Sequence, residues 1–144
     1  MSSKKPRTSG SVAKDDYLEQ ILHLSAENGF ARPVDISKNL GISKASVTNM
    51  LQKLDSEGLV SHIKYRGTTL TEAGKTIANA IVTRHETLTQ FLRLFNIDED
   101  TIYKDVEGME HHVSQASLKA ITVIVDELKN NPELLEKMKS RIDI

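Results

Sequence analysis

Residues 33–70 constrain this chain more than any other stretch. PVDISKNL reads as a short helix opening on Pro33, with Ile36 and Leu40 on its apolar side, and Gly41 stops it. Ser43 then caps a second helix in which Val47, Met50, Leu51 and Leu54 point inward, and Gly58 ends it. Leu59–Ile63 alternates as a strand, Arg66-Gly67 turns, and Thr68-Thr69-Leu70 returns. Two helices meeting at a glycine-containing turn, with a hairpin after them, make a winged helix-turn-helix.

The flanking segments are helical. From Asp16 to Asn28-Gly29, residues Tyr17, Leu18, Ile21, Leu22 and Leu24 form one broad apolar face. Residues 1–14 lack periodicity and are expected to form a mobile basic tail. After Thr71 a long helix is predicted over 72–95, with Ile77, Ile81, Leu88 and Leu92 inward. Further helices are predicted at about 98–113, 115–129 and 132–142, and Leu118, Ile121, Val125 and Leu128 are expected to supply apolar surface for a two-fold dimer. The expected fold is mainly α with a small β-hairpin wing: a tail (1–14), a winged helix-turn-helix domain (15–71), and a helical domain (72–144) whose first helix links the two.

At 144 residues the chain allows one compact unit or two small ones. Cysteine is absent, which removes disulfide scaffolds, thiolate metal sites and cysteine nucleophiles. No apolar run approaches the ~20 residues of a membrane span, and MSSKKPRTSG lacks the apolar core of a secretory signal, so a cytoplasmic protein without membrane partners is expected. The net charge of −1 hides an asymmetry. Residues 1–84 hold 12 Lys/Arg against 8 Asp/Glu, whereas residues 85–144 hold 7 against 12. The first part suits a polyanion and the second suits cations, although an asymmetry this small also arises from ordinary surface solvation and serves only as support.

The inward set of the second helix leaves Lys44, Ser46, Thr48, Asn49, Gln52 and Lys53 facing out, with no carboxylate until Asp55. Lys meets phosphate or guanine, Asn and Gln pair with adenine edges, and Ser and Thr suit either. Arg66 at the hairpin tip is placed to reach phosphate or the minor groove. A polar exterior with no nucleic-acid partner is the plainer alternative, but helix-turn-helix, outward basic face and wing occurring in order favour DNA.

A second signal is DVEGMEHH, residues 105–112. On a helix, Glu107, Glu110 and His111 fall at i, i+3 and i+4, beside an apolar stripe of Ile102, Val106, Met109 and Val113. Two carboxylates at the border of buried surface need a cation or a donor. Asp16 and Glu19 share the polar face of the first helix, His85 lies at the margin of the long helix's apolar stripe, and His23 falls on the face of Asp16 and Glu19. Taken singly, Asp16, Glu19 and His85 read as ordinary solvated or satisfied side chains, and the pattern leaves His23 open as a further ligand. With no sulfur in the set, such donors suit Mn²⁺ or Fe²⁺, and Mn²⁺ best where oxygen dominates, though Zn²⁺ also binds them. Four carboxylates balance two divalent ions.

The blocks DDYLEQI (15–21), SVTNMLQKLD (46–55), KYRGTTLTEAGK (64–75), RHETLTQFL (84–92) and DVEGMEHHVS (105–114) together resemble the manganese transport regulator branch of the diphtheria toxin repressor family of metal-dependent transcription repressors. The likeness runs from about Asp16 to Ser140. It implies the ligand set Asp16, Glu19, His85, Glu107, Glu110 and His111, a two-metal site bridging a DNA-binding and a dimerisation domain, and a non-enzymatic repressor of manganese-uptake genes. His23 has no counterpart in that set. Asp16 and Glu107 stand where iron-selective members place sulfur, so the expected cofactor is Mn(II), two per subunit. Fe(II), Zn(II), Co(II) and Cd(II) are alternatives in vitro. No SH3-like third domain is expected, and the expected partners are a second copy and palindromic operator DNA, with no small organic substrate. Two departures stand out: the longer basic tail, and Asn49 where a basic residue is common.

Three rival readings remain at this stage. An iron-responsive member of the same family is one, and a winged-helix repressor sensing an organic ligand is another. A di-metal carboxylate oxidase or ferritin-like enzyme is the third; its paired Glu-x-x-His pattern is missing.

Overall fold

The computed structural model describes residues 10–142, with side chains from Lys14 onward. Two compact units, 1–81 and 82–144, divide the chain. In the first, α1 (Gly10–Asn28), α2 (Pro33–Leu40) and α3 (Lys44–Ser56) precede a hairpin of β1 (Val60–Ile63) and β2 (Gly67–Leu70). The unit ends within α4 (Glu72–Arg93). Pro33 opens α2, and Gly41 closes it in the left-handed region at φ 66°. The Ser43 side chain accepts from Ser46 N and caps α3. The strands pair antiparallel from Val60↔Leu70 to Ile63↔Gly67.

Leu18, Ile21, Ile36, Val47 and Leu54 are fully buried at the centre of this unit, joined by Leu59, Val60, Leu70, Ala78 and Ile81. Each large aliphatic side chain so buried contributes about 1.5–3 kcal/mol. Two glycines let backbone segments touch. A Cβ on Gly67 would strike the Ala31 carbonyl, where Ala31 bridges Thr68, and one on Gly74 would strike the Leu59 carbonyl. The Thr71 hydroxyl donates to Gly58 O at 2.6 Å and accepts from Gly74 N at 3.1 Å, stitching the end of α3 to the start of α4.

The second unit holds the rest of α4 with α5 (Glu99–Met109), α6 (Gln115–Lys129) and α7 (Pro132–Lys139). Asp98, Ser114 and Asn131 cap α5, α6 and α7 through their side chains. Leu88, Ile102, Val106 and Leu118 form its core, with Leu92, Ile97, Met109, Val113 and Ile121 packed against them.

Four expectations are corrected. α1 begins at Gly10, inside the stretch read as tail; residues 1–9 lie outside the described residues. An ion pair between Lys14 and Glu57 anchors its early part. α5 stops at Met109 instead of running to 113, because Ser114 takes extended geometry (ψ 161°) to cap α6 and the chain tightens into a turn, with His112 N donating to Met109 O. Ile77 is exposed, because Ala78 and Ile81 hold the inward stripe. Leu118, Val125 and Leu128 are buried within one copy of the chain, and the apolar residues that α6 leaves exposed are instead Val123 and Ile124. The smaller end differences, at α4 and α7, are fraying of a few residues. Among the described residues no helix is long and apolar enough to cross a membrane.

Candidate metal centre and nucleic-acid face

The second unit gathers donors at the end of α5. Among the described residues, Glu107, Glu110 and His111 form one group whose ligand atoms all lie within 4.8 Å of one another. Burial of Ile102 and Val106 fixes the face that α5 turns inward, and this places Glu107 half-buried and Glu110 buried at 4% exposure. Glu110 is the C-cap yet keeps helical angles (φ −60°, ψ −27°), which preserves the convergence read from the spacing although the helix has ended.

The Glu110 carboxylate is faced by two imidazoles. His85 Nδ1 lies 2.9 Å from Oε2, and His111 Nε2 lies 3.4 Å from Oε1. With Nδ1 donating to the carboxylate, His85 takes the tautomer with its second ring nitrogen, Nε2, unprotonated, the tautomer that metal-binding histidines use. Arg84, next to it on α4, donates from Nη1 to the Glu110 carbonyl at 3.1 Å, while its buried Nε has no hydrogen-bond partner among the described residues. Sequence reading passed over Arg84; its only signal was a cation beside His85 in RHETL.

Asp16 and Glu19 both sit half-buried on α1, in the first unit. Glu19 Oε1 is 3.7 Å from His23 Nε2, a loose i,i+4 pair at the surface. The structure thus brings together His85, Glu107, Glu110 and His111, and gives Asp16 and Glu19 their own places on α1.

The donor set of the second unit is carboxylate oxygen and imidazole nitrogen, in a chain without thiols. That chemistry fits a hard or borderline divalent cation, and a buried carboxylate beside a second carboxylate is the environment a cation relieves.

In the first unit α3 turns Val47 and Leu54 into the core and leaves Lys44, Ser46, Thr48, Asn49, Gln52 and Lys53 exposed, as the periodicity requires. The Ser46 hydroxyl accepts from Ser43 Oγ at 2.9 Å, so it is partly engaged in the cap. Arg66 is exposed at the hairpin tip, beside Lys64 and Tyr65, which the sequence reading did not single out.

Both units have counterparts among known proteins. Residues 11–68 match the family model "Iron dependent repressor, N-terminal DNA binding domain", and residues 71–139 match "Iron dependent repressor, metal binding and dimerisation domain". The chain is 44% identical over 126 residues to the HTH-type transcriptional regulator MntR of Lysinibacillus sphaericus (strain C3-41), covering 88% of this chain and 91% of the relative. It is 44% identical over 126 residues to the MntR of Bacillus subtilis (strain 168), covering 88% and 89%. Among solved structures it is similar to the manganese regulator SloR (TM-score 0.69, 29% identity, 78% of this chain and 53% of that one). A manganese-dependent transcriptional repressor in complex with manganese is also similar (TM-score 0.65, 27% identity, 78% and 52%).

Proposed function

The chain belongs to the iron dependent repressor family, on its manganese transport regulator branch, and we propose on that premise that Glu107, Glu110 and His111 form the centre through which it senses Mn²⁺ and represses transcription. The observation that supports this most directly is the convergence of those three donors within 4.8 Å around a buried carboxylate. His85 completes the second unit's contribution through its bond to Glu110. Asp16 and Glu19 are carried as ligands on the family resemblance alone, and with them the set balances two divalent ions per subunit.

A divalent cation supplies positive charge that lets neighbouring carboxylates stay ionised away from water. The chain's own residues do the rest. His85 orients the Glu110 carboxylate, and Arg84 holds the Glu110 carbonyl. The outward face of α3 reads base edges, Lys44 and Lys53 neutralise phosphate, and a homodimer presents two such faces to a palindromic operator at manganese-uptake genes. To act as a switch between 1:99 and 99:1 occupancy, metal must favour the DNA-competent state by about 10⁴-fold. By reciprocity, operator DNA must tighten metal binding by the factor with which metal tightens DNA binding.

Fluorescence anisotropy with a palindromic duplex, in Mn²⁺ and in chelator, tests the reading. Binding that requires Mn²⁺ is expected; equal binding in chelator overturns it. The pattern lacks the paired Glu-x-x-His of an oxidase, and the relatives are transcriptional regulators.

A further inference from the structure

The start of α1 lies against the end of the helix assigned to base reading. Lys14, one turn into α1, forms an ion pair with Glu57, the C-cap of α3. Glu57 follows Lys53 by four positions, so the two are neighbours on one face of α3. Lys14 in turn follows Gly10 by four positions, about 6 Å along the axis of α1. Adding the side-chain reach keeps Gly10 within about 20 Å of Lys53, the ammonium set on phosphate above. Whatever precedes Gly10 therefore enters the fold beside the nucleic-acid face.

What precedes it is cationic. Residues 1–9 carry Lys4, Lys5 and Arg7, and the first carboxylate of the chain is Asp15. Lys14 is committed to Glu57, which leaves the three upstream cations for a ligand. No acidic residue stands in the first turn of α1, so the positive end of its dipole adds to the same field. Of the nine residues only Met1 and Pro6 are apolar, so a protein groove has little to bury there. A duplex offers one phosphate per 3.4 Å along each strand, and nine extended residues span at most about 30 Å, which exceeds the distance to Lys53. The segment also lies outside the repressor domain matched over residues 11–68, so it is an addition to that domain.

We propose that residues 1–9 serve as a DNA-binding arm, in which Lys4, Lys5 and Arg7 neutralise phosphates beyond the Lys53 end of α3. The Lys14–Glu57 pair fixes where the arm leaves the fold. This rests on the repressor reading above and adds to it a contact that raises affinity for any duplex without reading sequence.

The test uses the full chain at saturating Mn²⁺ and a palindromic duplex selected from random DNA by the wild-type protein. The variant Lys4→Ala/Lys5→Ala/Arg7→Ala removes three cations per chain and six per dimer. It is expected to reduce the slope of log K against log salt by about 5 and to weaken binding about tenfold or more at ~0.1 M salt. The loss is expected to be equal for the selected duplex and for unrelated DNA, with Tm and Mn²⁺ affinity of the free protein unchanged. Lys4→Arg/Lys5→Arg, which keeps the charge, is expected to keep the wild-type slope. A triple variant with the wild-type slope and affinity overturns the arm and leaves the repressor reading standing. An unchanged slope with an altered Tm or Mn²⁺ affinity also overturns it, by setting the cations on acidic residues of the protein itself. Wild-type protein that selects no duplex in Mn²⁺ overturns both.

Discussion

His85 Nδ1 lies 2.9 Å from Glu110 Oε2, joining α4 to the turn that closes α5 through a carboxylate that is almost wholly out of water. Its other oxygen, Oε1, lies 3.4 Å from His111 Nε2, and Arg84 donates to the backbone carbonyl of the same residue. Truncating it removes the group around which the other donors are arranged.

Glu110→Ala is accordingly expected to lower Mn²⁺ affinity by on the order of 100-fold or more and to abolish metal-stimulated DNA binding, while the dimer persists. Isothermal titration with Mn²⁺ and sedimentation of the same sample check both halves. Retained stimulation would remove Glu110 from the centre.

Lys53 belongs to the other face. Lys53→Ala is expected to weaken duplex binding at every sequence and to reduce the slope of log K against log salt by about 1, with Mn²⁺ affinity of the free protein unchanged. An unchanged slope would mean that this ammonium meets no phosphate.

Gly74 is a packing position. A methyl group there would meet the Leu59 carbonyl at the start of α4, a rigid obstacle. Gly74→Ala is expected to cost about 1–3 kcal/mol in urea unfolding, although alanine in an open helix would stabilise. A Tm equal to wild type would show that α4 and the segment at Leu59 part without penalty.

Arg93 and Glu99 pair at the surface through Nε and Nη2, at 2.8 and 2.9 Å. The hydrogen bond from Arg93 holds the Glu99 carboxyl below its ordinary value, and the same bond with the charge of Glu99 raises Arg93. Because the folded carboxyl titrates lower than the unfolded one, the pair's contribution is present above the ordinary glutamate pKa and is lost as pH falls through the folded value. The raised Arg93 loses its share only in strong alkali. In Arg93→Gln the Glu99 midpoint, followed by NMR, is expected to rise toward normal; an unmoved midpoint would refute the pairing in solution.

The first unit was largely legible because its signals are local. Pro33, Gly41, Ser43 and Gly58 mark their own boundaries, and the apolar periodicity of α1 and α3 matches the buried set. The end of α5 was not legible, since nothing before Ser114 announces that its hydroxyl will cap the next helix. The roles of Leu118, Val125 and Leu128 depend on which face of α6 meets Ile102 and Val106, a tertiary choice that periodicity alone leaves open. At the site, the spacing of Glu107, Glu110 and His111 predicted their convergence, but the bond from His85 to Glu110 spans 25 positions and became visible only in the fold.

The proposed sensing centre, built only of carboxylates and imidazoles, also differs in what can poison it. Peroxide converts a thiolate ligand to sulfenic acid and ultimately to forms the cell does not reverse. This chain has no such ligand, and the thioether of Met109 packs against the apolar cluster of its unit. The proposed donor set therefore offers peroxide no thiolate to oxidise, and its readout is expected to outlast conditions that silence a sulfur-based counterpart.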